Sequence, residues 1–158
     1  MDPSAARLTP PARALVVAIA LLAACGRSGT RVEDLNLTEV TLPTGKKILA
    51  ETMVRDMDVI RGLMFRDSLA QGRGMLLIQN TEAVHATFTY NVRIPLDIVW
   101  MDRNQRIVQI SANTPPCTSK SAKACPIYGE KVKSRYVLEL NAGAAAAYGL
   151  KIGDRLTF

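Results

Sequence analysis

The strongest apolar run in the chain is short, and a turn follows it at once. Leu96 to Met101, with Ile98, Val99 and Trp100, leads into Asp102-Arg103-Asn104-Gln105, then Ile107, Val108 and Ile110. Two apolar segments flanking a polar turn read as a hairpin. Other segments extend the strand plan. Val40 to Leu42 is a short strand, and Pro43-Thr44-Gly45 turns the chain. Ile48, Ala50, Thr52 and Val54 alternate with more polar neighbours, which predicts a second strand. Met75 to Ile78, Thr87 to Tyr90 and Tyr136 to Leu140 add further strands.

At Asp56 the period becomes helical. Met57, Ile60, Leu63 and Met64 share one face, with Asp56 as the N-cap and Gly62 as a weak point. A second short helix, rich in alanine, follows a cap at Asn141 and stops at Gly149. Lys151 to Phe158 closes the domain with a turn at Gly153-Asp154 and a last strand. The expected fold class is α+β. About seven short, mostly antiparallel strands form a small curled sheet or partial barrel, with two short helices.

The N-terminus constrains location rather than fold. An apolar stretch from Ala14 to Ala24 follows Arg7 and Arg13 and ends in Leu22-Ala23-Ala24-Cys25. It is about half the roughly 20 residues a membrane-spanning helix needs. A basic start, a short apolar core and small residues before a cut site make a secretory signal. The alternative is a short buried helix, which the basic flank and Cys25 oppose. With Cys at the cut site the segment resembles the bacterial lipoprotein box. That resemblance implies lipidation of Cys25 with diacylglycerol and N-acylation, and so a stable anchor. Gly26 stands where an Asp would imply inner-membrane retention, which points to the outer membrane. The expected division is a signal peptide over 1–24, a lipidated flexible tether over 25–34 and one globular domain over 35–158, facing the periplasm. The expected partners are the membrane, through the anchor at Cys25, and an unknown small molecule or envelope protein.

Composition narrows the function classes. The net charge of +6 is spread along the chain, and aromatic residues make up 5%. Scattered charge with few stacking rings argues against nucleic acid and fits a solvated surface near anionic lipid. Cys117 and Cys125 remain in the body, separated by eight positions. In an oxidising compartment such a pair favours a disulfide over a metal site, whose further ligands are not nearby in sequence. It would staple the long loop from Ala112 to Ser134, a length usually functional or tethered. No cofactor motif or metal-ligand cluster is visible, so neither is expected. The methionines read as core filling around a helix and two strands rather than as soft-metal ligands.

Five segments in order carry a family resemblance. They are Arg61-Gly62-Leu63-Met64-Phe65-Arg66, Gly74-Met75-Leu76, Ile94-Pro95-Leu96-Asp97-Ile98, Val137-Leu138-Glu139-Leu140-Asn141-Ala142-Gly143, and Gly149 with Gly153-Asp154. Together they resemble domain-of-unknown-function family 192 over roughly Ile48 to Phe158. Many members are exported or lipid-anchored bacterial proteins, and no reaction comes with the resemblance. The paired cysteines in a Pro-rich loop also fit exported members. Where the family commonly carries an aromatic-Met-basic-Asn-Thr stretch, this chain reads Phe88-Thr89-Tyr90-Asn91-Val92. It keeps Asn91 and replaces the Met and Thr.

The candidate ligand-binding residues are Arg66, Asn91, Asp97 and Glu139. Asp97 lies in the most apolar strand, where a carboxylate needs a partner. Arg66 is the expected one, either as a structural ion pair or as an anion clamp in a polar pocket. Glu139 is expected to be solvated or paired. With Asp97 it would alternatively form a carboxylate pair for acid–base chemistry. His85, the only imidazole, reads as a surface or core residue, since no nucleophile-elbow pattern accompanies it. The favoured reading is a small non-catalytic binding domain at the envelope. The alternatives are a hydrolase or transferase acting on envelope material and a structural accessory of an envelope complex.

Overall fold

A computed structural model describes residues 36–158. The signal, Cys25 and most of the tether lie outside the described residues. Six strands form one sheet: β1 (Leu37–Thr41), β2 (Lys47–Met53), β3 (Arg73–Val84), β4 (Leu96–Met101), β5 (Ile107–Thr114) and β6 (Lys133–Asn141). Their order across the sheet is β1-β2-β3-β6-β4-β5. The β4–β5 hairpin stands as expected, turned at Asp102, whose carboxylate accepts from the Asn104 and Arg106 amides.

The sheet is mixed and open, not a purely antiparallel partial barrel. β2 and β3 run parallel, while every other pairing is antiparallel. A parallel pair needs a crossover. Here the crossover runs through residues 54–72 and carries α1 (Asp56–Arg61). Two expected strands are not strands. Residues 87–90 and the C-terminal segment make only isolated bridges, Thr87 to Tyr128, Tyr90 to Cys117, Thr41 to Thr157 and Arg106 to Arg155.

Both faces of the sheet are covered. On one face Ile48, Leu76, Val99, Leu138 and Leu140 pack against Leu150, Leu156 and Ala145 of α2 (Ala144–Ala147). On the other, Met75, Leu77, Ile98, Trp100 and Val137 pack under Leu63, Leu69 and Val92 of the connecting segments. Burying both faces makes the central strand β4 apolar at every position but Asp97.

The helices differ from expectation in their ends and faces. α1 starts from an extended Arg55, with Asp56 inside its first turn. No residue of α1 is buried, and Met57 and Ile60 are 75% and 61% exposed. The helix ends before Leu63, so the four apolar residues never share one helical face. Met75 and Met101 fill the core, as expected of the methionines, but Met57 does not. Asn141 does not cap α2; Gly143, with φ +81, does. The Asn141 side chain instead donates to the Leu69 carbonyl.

Cys117 and Cys125 form the expected disulfide. Backbone bonds between Thr87 and Tyr128 and from Cys117 to Thr89 dock the stapled loop on the segment after β3. Trp100 anchors both. Its Nε1 donates to the His85 carbonyl at 3.0 Å. Gly129 lies so close over the indole that a Cβ would meet the ring at 2.5 Å, and its φ of +79 also requires glycine.

Asp97 is fully buried, but not against Arg66. Its Oδ1 accepts from the Asn113 amide at 2.8 Å, and its Oδ2 from the Ala145 amide at 2.7 Å. The carboxylate therefore ties the end of β5 and the start of α2 to the central strand. Asp97→Ala should lower stability by roughly 2–4 kcal/mol, because two amides lose their acceptor. Urea denaturation checks this, and an unchanged midpoint would contradict the tie.

Candidate functional site

The site follows from sheet register. Glu51 of β2 lies opposite Met75 of β3, Met75 opposite Glu139 of β6, and Glu139 opposite Ile98 of β4. Residues paired across a ladder share a face, so both glutamates sit in one row on the Met75 and Ile98 side. Asp97 pairs with Leu140 and belongs to the opposite face. The Asp97–Glu139 carboxylate pair therefore does not form.

The crossover lays Arg66 over this row. Arg66 Nη1 and Nη2 donate to Glu51 Oε1 and Oε2 at 2.7 and 2.6 Å, a two-point guanidinium–carboxylate pair. Its hydrogen bonds to Glu51 raise the Arg66 guanidinium above its ordinary value. Two unusual backbone positions shape the turn that delivers it. Gly62 has φ +44, and Phe65 has φ +65. Such a φ is strained for a bulky side chain, at a cost of about 1–3 kcal/mol. The Asn91 carbonyl accepts from the Phe65 amide at 2.8 Å and holds the turn. Asn91 itself has φ +56 and does not line the cavities on either side of the turn, so it braces the site from outside.

Glu139 is 5% exposed, not solvated, and its Oε2 has no hydrogen-bond partner. Gly62 passes directly over it, and a Cβ there would lie 3.5 Å from that oxygen. Burial pushes the Glu139 carboxyl up to about 7, against the opposing pull of the Arg66 charge.

The carboxylate faces a cavity of about 230 Å³. Val59, Leu63, Met64, Leu77 and Val92 supply apolar walls. Gln79, His85 and Thr87 add polar groups, while Ile60 and Phe88 line the cavity from exposed positions. His85 is half-buried, and its Nε2 bonds the Thr81 carbonyl at 2.8 Å. A second cavity of about 330 Å³ lies beside Met53, Asp58 and Arg66. The two share Arg61, Gly62 and Met64, so one turn separates them.

Of the four candidate residues, then, the fold brings Arg66 and Glu139 to one site, leaves Asn91 as a brace and sends Asp97 to the other face. Sequence reasoning missed Glu51 and the role of Gly62. Glu51 was detectable in principle. It alternates out of phase with Ile48 and Ala50, and it faces the side that the crossover must cover.

A family profile described as an uncharacterized ACR, DUF192, matches residues 39–158. The chain belongs to this family. The DUF192 domain is similar to a crystal structure of a protein of unknown function from Novosphingobium aromaticivorans. Identity is 27% and the TM-score 0.66, covering 77% of this chain and 85% of that one. It is also similar to a Sinorhizobium meliloti crystal structure described as a candidate transcription regulator. There identity is 27% and the TM-score 0.64, covering 75% of this chain and 89% of that one. No curated protein matches the chain.

The raised Glu139 carboxyl links folding to pH. The folded protein keeps this proton up to about pH 7, whereas the ordinary value is 4.5. The group's contribution to stability is thus fully present below the ordinary value and is lost as pH rises towards 7. Glu139→Gln should remove this loss. The variant should gain roughly 2–3 kcal/mol on the wild type between pH 5 and pH 8, read from paired urea titrations. Parallel pH profiles would contradict the raised carboxyl.

Proposed function

We propose that this DUF192 domain is a small-molecule-binding module, held at a bacterial envelope by lipid on Cys25. The observation that carries the binding reading is the buried Glu139 oxygen without a partner, facing an apolar-walled cavity. An unmet polar group in a protein interior costs about 1–3 kcal/mol. Its retention at the base of a cavity fits a site whose partner arrives with the ligand. Support for the anchor is the lipoprotein-like run ending at Cys25, which lies in the sequence alone.

A hydrolase or transferase reading has one observation in its favour. Glu139 and His85 line the same cavity, and a carboxyl near 7 suits proton transfer. The binding reading is preferred because the carboxylate pair that acid–base chemistry would use does not form, Asp97 lying on the opposite face of the sheet from Glu139. A nucleic-acid role, as the Sinorhizobium meliloti relative's description would suggest, has less support. The basic residues are scattered, and aromatic residues are sparse.

Two experiments test the proposal. A thermal-shift panel of single-ring and branched-alkyl fragments should yield hits worth roughly 2.7 kcal/mol at 100 times the dissociation constant. Ala86→Trp, at an exposed position lining the cavity, should abolish them. Hits that survive this blockade, or none at all, would contradict the pocket reading. For the anchor, Cys25→Ala should move the protein from the detergent-extracted membrane fraction to the soluble one. Unchanged partition would refute lipid attachment at Cys25.

A further inference from the structure

Resting on that binding reading, we infer that the cavity takes a compact apolar ammonium compound, whose protonated amine donates to Glu139. Three observations on the site select this class. The first is size. A cavity of about 150 Å³ already holds benzene. The 230 Å³ here fits one ring, or a branched alkyl group, with a short polar arm. The walls of Val59, Leu63, Leu77 and Val92 match such a body.

The second is the balance of charge around Glu139. On β2, Glu51 binds both outer nitrogens of Arg66, so that pair is internally neutral. On α1, Arg61 lies at an exposed position, where its charge is largely screened. After β3, His85 has its Nε2 engaged by the Thr81 carbonyl. No ion pair meets Glu139 among the described residues. When Glu139 ionises, its charge is the one left without a partner inside the cavity.

The third is hydrogen-bond chemistry. An ionised carboxylate only accepts, and Oε2 accepts from nothing. An ammonium brings the missing donors, and Gln79 and Thr87, which also line the cavity, carry further oxygen acceptors. A carboxylate ligand would meet Glu139 as a like charge, while the guanidinium it would seek is already occupied by Glu51. A neutral alcohol would satisfy the oxygen but leave the charge uncompensated.

Benzylamine, benzyl alcohol and benzoate share one ring and differ in the head group. Their affinities for the full chain in lipid nanodiscs can be compared by isothermal titration, with empty nanodiscs subtracted. At pH 8 benzylamine should bind at least about tenfold more tightly than either of the others. Its affinity should fall about tenfold from pH 8 to pH 6, as Glu139 takes up its proton while the amine keeps its own. Glu139→Gln should erase the preference, and Ala86→Trp should erase binding. The wild-type pH profile tests the inference even where a variant misfolds. Equal binding of benzyl alcohol, lost in Ala86→Trp, would overturn the ammonium inference and leave the pocket reading standing. Preference for benzoate would also overturn it. Failure of all three ligands would overturn it too, with the wider fragment panel then deciding the pocket reading separately.

Discussion

The pairing of β6 with β3 on one side and β4 on the other governs the rest of the molecule. It places Leu138 and Leu140 in one core and Val137 and Glu139 towards the other. A one-residue slip would exchange these faces. The α2 face would then receive a carboxylate, and the crossover face a leucine. The β6 register is also what separates Asp97 from Glu139, although the two sit on adjacent strands.

The two buried carboxylates show opposite solutions to the same cost. Asp97 is satisfied by backbone amides from β5 and α2, so its charge becomes part of the architecture. Glu139 lies among apolar side chains with a glycine above it and no donor for Oε2. The nearby guanidinium relieves it only in part, because Glu51 holds both outer nitrogens of Arg66. Three charged groups therefore leave one carboxyl protonated to unusually high pH. The strained turn at Gly62 and Phe65 is the backbone cost of bringing Arg66 and that carboxyl under one roof.

Much of the fold was legible from local pattern. The β4–β5 hairpin, the alternation in β2, the strand of β6 and the disulfide rest on nearby residues or on a paired cysteine count. The parallel contact of β2 with β3 was not, since no local signal reports which strands meet after a crossover. The helical face failed for a related reason. Met57, Ile60, Leu63 and Met64 have helical spacing, but Gly62 ends the helix and turns Leu63, with Met64 beside it, towards the core while Met57 and Ile60 stay exposed. Arg66 was visible as a residue of interest because it lies in one of the segments that carry the family resemblance, and Glu139 because it stands between Leu138 and Leu140. The wrong partner was assigned to Arg66 because Glu51 lies in a strand that reads as half-exposed. Its burial comes only from the segment folded over it.

The close packing of Gly129 on Trp100 gives the chain an optical reporter of its own. Trp100 is the only tryptophan in the sequence. Its ring lies beneath the stapled loop, and its Nε1 binds the carbonyl of His85, a residue of the cavity wall. Indole emission thus samples two neighbours at once, the loop above and the wall beside it. Movement of either changes the polarity around a single fluorophore, so loop docking can be followed without a label.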